Sequence, residues 1–262
     1  MSAAELVHAG VEGGVATITL DSPSNRNALS RQLVSELTAA LAASGSDPAV
    51  RAIVLTHTGT TFCAGADLSE AAGGGMSEAA SVLLRLIEAI VELPKPVVAG
   101  VDGNARAGGL GLIGACDIVV AGPRCTFALT EVRLGLAAAV ISVALLPRME
   151  PRAAARYYLT GETFDSAEAV RTGLATVAAD DMPATVATIT AGLLKASPQG
   201  LAESKRLVAA PVREAIAARG EAMVELSARL FGSDEAREGM MAFLERRPPR
   251  WASHPDPGGA GT

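Results

Sequence analysis

Most of the residues that could carry chemistry lie between Gly100 and Glu131, where the chain reads GVDGNARAGGLGLIGACDIVVAGPRCTFALTE. Ala105, Ala107, Gly108, Gly109 and Gly111 are small enough to let backbone approach a ligand or another backbone closely. An apolar stretch, Leu112 to Cys116, follows. If this is a helix that begins near Gly108 or Gly109, its first N–H groups have no internal acceptor and favour negative charge in front of them. The segment can therefore form an anion site made of backbone, with a carboxylate nearby in sequence. Thr58 to Asp67, TGTTFCAGAD, is a second loop of small residues.

One alternative chemistry is written into the same stretch. Gly109, Gly111 and Gly114 spell GxGxxG, and Glu131 stands where a ribose-binding acid could sit. That motif should follow a strand directly and open a long crossover helix. Here residues 102–107 intervene after Val101, and few residues separate Gly114 from Asp117. A dinucleotide-binding oxidoreductase is thus a remote reading.

Other classes are limited by composition. The chain has 262 residues, 49% of them hydrophobic, which suffices for one large core. Aromatics make up only 3%, while Ala and Gly abound, so an α/β layout is expected rather than an all-β sandwich. The net charge is −6 and no basic stripe is interleaved with aromatics, which argues against a nucleic-acid surface. Cys63, Cys116 and Cys125 are odd in number and unpaired in spacing, and His8, His57 and His254 are scattered. Neither a disulfide framework nor a metal site is expected, and a cytoplasmic location fits. The N-terminus lacks a signal-peptide pattern, and the longest apolar run, residues 136–146, is too short for a membrane span.

The elements that must position the two loops follow from turn chemistry and periodicity. Residues 5–8 and 15–20 read as a hairpin about the Gly13-Gly14 turn. Ser30 caps a helix over 31–43 with Leu33, Leu37 and Leu41 on one face. Residues 50–57 and 97–101 are buried strands; between them Gly73 to Gly75 is a mobile connection and Ser77 caps a helix to Val91. Residues 118–120 form another strand. A helix over 151–159 follows, then one capped by Asp165 or Ser166 and a short strand at 174–177. The pattern beyond is helical, at about 183–195, 198–208, 212–231 and 234–246. Three regions are expected: a core over 1–195, a C-terminal helical region over 196–252, and a disordered Pro/Gly-rich tail over 253–262.

Taken in order, the motifs resemble the crotonase superfamily, also called the enoyl-CoA hydratase/isomerase family. Asn27-Ala28-Leu29 matches an early element, and Phe62 to Leu68 (FCAGADL) matches a first oxyanion loop. Lys95-Pro96 and Gly103 to Asp117 match a second, Thr130-Glu131-Val132 to Gly135 a catalytic-acid region, and Arg237-Glu238-Gly239 to Trp251 a C-terminal signature. The resemblance implies a spiral of ββα turns with a C-terminal helical region that builds homotrimers or hexamers. It implies an acyl-CoA thioester as substrate, with coenzyme A entering as part of that substrate and no separate cofactor or metal. It also implies that the backbone N–H groups of Ala66 and Gly108 hold the thioester oxygen, and that Glu131 is catalytic. Ala28, Ala64, Asp67, Leu68, Gly109 and Gly111 would lie at the substrate.

The match breaks in one informative place. Hydratases of this family usually carry two glutamates, and the first position falls on Gly111. Whole-chain resemblance puts enoyl-CoA hydratase first. A single base in a water-poor pocket suits a proton shuttle instead, making an enoyl-CoA isomerase that uses Glu131 alone the close alternative. A non-catalytic acyl-CoA-binding homologue is the reading of another class. Asp67 is expected as a cap, Arg106 as structural or phosphate-facing, and Asp117 as a buried hydrogen-bonded residue. Ala137-Ala138-Ala139 replaces a Pro/Gly-rich turn beside the acyl chain and leaves chain length open.

Overall fold

A computed structural model describes residues 4–67 and 76–252. Leu68, the 73–75 connection and the 253–262 tail lie outside the described residues. The chain opens on strands β1 (Val7–Glu12) and β2 (Val15–Leu20), paired from Val7↔Leu20 to Glu12↔Val15. The first strand thus sits later than expected from sequence. Gly13 and Gly14 both take positive φ, as a two-residue hairpin turn of matching twist requires. Helix α1 (Arg31–Ser46) follows, and Ser30 Oγ accepts the Leu33 N–H at 3.2 Å.

Next comes a unit that is used three times. A strand enters a large sheet, the following strand enters a small one, and the chain returns to the large sheet. The pairs are β3 (Ala52–His57) with β4 (Thr61–Cys63), β5 (Val97–Val101) with β6 (Asn104–Arg106), and β7 (Ile118–Ala121) with β8 (Thr126–Ala128). Helix α2 (Met76–Glu92) connects the first pair to the second, and α3 (Gly108–Ala115) the second to the third. Ser77 falls within the described residues of α2. The large sheet runs β1-β2-β3-β5-β7-β9, with β9 at Val177–Ala178, parallel beyond the hairpin, and the small one β4-β6-β8, also parallel. This is a spiral of ββα turns.

Burial of the parallel strands on both faces accounts for their unbroken apolar runs. All five residues of β5 are buried. Alternation then divides them: Ile53, Leu55, Val97 and Ala99 join the main core, while Val54, Val98 and Val120 face the other side with Val186. Val186 comes from α7 (Met182–Leu193), preceded by α4 (Ser142–Leu145), α5 (Pro151–Thr160) and α6 (Ser166–Arg171). Asp165 caps α6, its carboxylate accepting the Glu168 N–H at 2.9 Å. The last strand, β9 (Val177–Ala178), lies later than the 174–177 expected, because Leu174 and Ala175 turn into the core instead.

The C-terminal region differs from expectation in one respect. A single 34-residue helix, α8 (Pro198–Phe231), replaces two, and it runs through Pro211. Proline lacks the N–H and crowds the preceding turn, but here the helix is anchored on both sides. Upstream, Lys205 pairs with Asp117 at 2.9 Å, both side chains buried, and donates to Ile90 O at 2.9 Å. Downstream, Val212 and Ala215 enter the core. Helix α9 (Asp234–Leu244) closes the fold. Among the described residues no helix is long and apolar enough to cross a membrane.

Candidate active site

Two tight loops face each other at the junction of the sheets. In the first, Gly65 takes φ +95°, and a Cβ there would lie 2.7 Å from Ala107 Cβ and 3.4 Å from Gly108 N. Only glycine allows that approach. Asn27, fully buried at φ 52°, staples the loop from behind. Its Oδ1 accepts the Ser22 N–H at 2.6 Å, and its Nδ2 donates to Thr61 O at 2.8 Å and Thr58 O at 3.2 Å. Leu29 N–H donates to Gly65 O at 2.8 Å, and Leu29 bridges Ala66.

The second loop leads into α3. Ala107, its N-cap, holds φ 47° and ψ −120°, a strained conformation for a residue with a Cβ. The turn aims the first N–H groups of α3 outward. Among the described residues no acceptor takes the N–H of Ala66 or of Gly108. Both residues line one cavity of about 180 Å³, together with Asp67 and Glu131. The remaining wall is mainly apolar and includes Leu83, Val140, Ile141, the 136–139 segment and Phe231 of α8.

Glu131 sits in a 3-10 turn, Thr130–Leu134, that ends on Gly135 at φ 71°. Its Oε2 is buried without a partner among the described residues. Burial pushes its carboxyl up to about 7, only partly opposed by its own backbone N–H. Arg133 does not neutralise it; that guanidinium donates from Nε to Thr160 O at 3.1 Å. A carboxylate with this proton affinity, opposite two free backbone donors, can take a proton from carbon while the donors hold the charge that develops.

The other sequence candidates divide. Asp67 lines the cavity, and its Oδ2 accepts from Asn25 Nδ2 at 2.8 Å. Ala28 and Ala64 stand behind the loop rather than in the cavity wall, where Leu29 and Ser30 appear instead. Gly109 and Gly111 are also outside that wall. A Cβ at Gly109 would lie 2.6 Å from Cys63 O, one at Gly111 2.5 Å from Ile141 Cγ2, and one at Gly114 2.8 Å from Leu145 Cδ2. Residues 104–106 do form a strand before this helix, but the three glycines of GxGxxG seat it against protein and leave no cradle for a nucleotide. Arg106 ties β6 to β8, donating to Ala105 O and Thr126 Oγ1, both at 2.8 Å. Asp117 accepts the Val97 N–H at 2.8 Å. The three cysteines are free and buried, and burial pushes the Cys63 and Cys116 thiols up to about 12. Among the described residues no group of three His, Cys, Asp or Glu could hold a metal ion.

Two contributors escaped the sequence reading. Asn27 had a signal, an asparagine in a turn-rich loop with Ser22 five residues before it, but the Thr58 and Thr61 carbonyls that it holds lie over thirty residues away. Ile141 had none, since only packing brings it to Gly111.

Comparison with known proteins agrees with this geometry. Residues 10–254 match the enoyl-CoA hydratase/isomerase family. A solved structure from Mycobacterium avium paratuberculosis K-10 is 56% identical, covers 95% of this chain and 100% of its own, and superposes with a TM-score of 0.91. The crystal structure of an enoyl-CoA hydratase from Mycobacterium avium is 53% identical over the same shares, with a TM-score of 0.90. A Mycobacterium bovis protein named probable enoyl-CoA hydratase echA6 is 37% identical over 245 residues, 90% of this chain and 95% of that protein. The spiral fold, the paired loops and these matches together make the chain a member of the enoyl-CoA hydratase/isomerase family.

Proposed function

We propose that the protein forms and reprotonates the enolate of an acyl-CoA thioester, and that it isomerises a 3-enoyl-CoA to the conjugated 2-enoyl-CoA. Glu131 carboxylate takes a proton from C2. The electron pair moves onto the thioester oxygen, which the N–H groups of Ala66 and Gly108 stabilise; one such donor is worth about 3–4 kcal/mol in a well-studied hydrolase. Protonated Glu131 then returns the proton at C4, leaving the double bond between C2 and C3. The observation that carries this reading is the filled space at Gly111. Where a second carboxylate would stand to hold water, Ile141 Cγ2 lies 2.5 Å from the site of a Cβ.

Hydration of a 2-enoyl-CoA is the second reading, favoured by relatives named as hydratases at up to 56% identity among those described. Ultraviolet absorbance of the conjugated thioester separates the two. A gain with 3-enoyl-CoA, absent in Glu131→Gln, supports isomerisation; a loss with 2-enoyl-CoA supports hydration and overturns it. No change with either, over short, long and branched chains, supports a binding-only homologue. Coenzyme A enters as part of the substrate. Assembly into trimers or hexamers belongs to the same proposal, supported by Leu207, Val208, Phe243 and Leu244, which lie exposed on α8 and α9. A cytoplasmic location is supported by the three unpaired thiols.

A further inference from the structure

We infer that Tyr158 is a positioning residue for Glu131: its phenol O–H donates to the Glu131 carboxylate in the ionised state, holding one oxygen and leaving the other for proton transfer. The inference rests on the proposed role of Glu131 and adds a residue to it. Tyr158 lies on α5, which packs against the turn that carries Glu131. The end of that helix is locked to the turn. Arg133 donates to Thr160 O, and a Cβ at Gly161 would come within 3.2 Å of Leu129 O and 3.0 Å of Arg133 Nε.

Tyr158 Oη and Glu131 Oε2 are both buried and without a hydrogen-bond partner among the described residues. An unmade hydrogen bond inside a protein is costly and rare, so two in adjoining elements, one a donor and one an acceptor, call for a joint explanation. They are not bonded to each other in this structure, and a side-chain rotation on ionisation would close the pair. Burial, with the Glu131 charge adding to it, keeps the phenol protonated and therefore a donor.

The other charged groups around the turn are engaged or exposed. On α5, Arg156 pairs with Glu162, Tyr157 donates to Glu168, and Arg152 is exposed. On α9, Arg237 pairs with Asp234, Glu238 with Arg247 and Arg250, and Glu235 is exposed. Around the cavity, Asp67 is held by Asn25, while Arg31 and Glu78 are exposed.

The test is titration of the Glu131 side chain in the intact protein, read from the ¹³C carboxyl resonance that disappears in Glu131→Gln. Donation stabilises the carboxylate, so Tyr158→Phe should raise the midpoint by about one to two pH units. Tyr157→Phe, on the same helix but bonded to Glu168, should leave it in place. An unchanged or lowered midpoint in Tyr158→Phe overturns the inference. Should that variant not fold, 3-fluorotyrosine incorporated into Tyr157→Phe labels position 158 alone, since the chain has two tyrosines. That stronger donor should lower the midpoint, and no movement again overturns the inference. None of this requires turnover, so inactivity toward enoyl-CoA substrates would sink the proposed reaction and leave this result standing.

Discussion

Replacing Gly111 by alanine should change sign with its neighbour. Position 111 is helical, so alanine gains about 1 kcal/mol of propensity over glycine. The new Cβ, however, would stand 2.5 Å from Ile141 Cγ2 and 3.2 Å from Ile87 Cδ1, where carbon atoms ordinarily sit about 3.5–4.0 Å apart. Both isoleucines are buried, at 3% and 0% exposure, and have little room to retreat. Overpacking of this kind costs about 1–3 kcal/mol, so Gly111→Ala in the native background should destabilise by roughly 0–2 kcal/mol after the propensity gain. In Ile141→Ala the offending Cγ2 is gone, and only the position-141 Cβ and Ile87 Cδ1, each at 3.2 Å, remain. There the same change should be neutral or stabilising by up to about 1 kcal/mol. Urea or thermal unfolding of the four proteins gives the coupling, expected at about 1–3 kcal/mol, with each kcal/mol moving the melting temperature by about 2–4 °C. An equal effect of Gly111→Ala in both backgrounds would refute the reasoning, and with it the claim that Ile141 takes the space of a second carboxylate. The companion variant Gly111→Glu/Ile141→Ala should gain hydration of 2-enoyl-CoA over the native protein.

Four other predictions concern separate parts of the molecule. Burial raises the Glu131 carboxyl from 4.5 to about 7, so the folded state binds this proton more tightly than the unfolded state. Its stabilising effect is complete below pH 4.5 and is lost as pH climbs through 7, a loss on the order of 3 kcal/mol. Glu131→Gln should therefore melt higher than the native protein at pH 8, with the gap closing toward pH 5; a gap constant with pH contradicts the buried, unpaired carboxylate. Gly65→Ala drives a Cβ to 2.7 Å from Ala107 Cβ, forces a strained φ and prises the two loops apart. Steady-state kinetics should show kcat lower by about 10²-fold or more, as for loss of one oxyanion donor, and unchanged kcat would mean that the loops do not form the oxyanion site. Lys205→Met leaves Asp117 charged and buried, and chemical denaturation should show a loss of about 3–5 kcal/mol. Removing Arg237 from its exposed pair with Asp234 should cost no more than about 1 kcal/mol.

Local chemistry was readable because its causes lie within a few residues. Ser30 and Asp165 cap the helices that follow them, Gly13 and Gly14 make the hairpin turn, and the apolar runs mark strands buried on both faces. The order and spacing of the motifs made the family and its ββα spiral legible, and the match over residues 10–254 bears both out. Pro211 shows where neighbours mislead. A proline disfavours the helix locally, yet buried contacts of Lys205, Val212 and Ala215 on either side outweigh that loss. Ala107 shows the same at the site, since nothing in its side chain asks for a positive φ and the loop facing it imposes one. Sequence by itself therefore determined the strands of the large sheet, most of the helices, and the order of Glu131 and the two small-residue loops, while the three short strands of the small sheet were not legible in it. Tertiary structure alone decided that Glu131 Oε2 and Tyr158 Oη are buried without a partner among the described residues and that Ile141 closes the space beside Gly111. Burial and close contact between residues far apart in the chain are properties of the packed whole, and proton affinity follows burial.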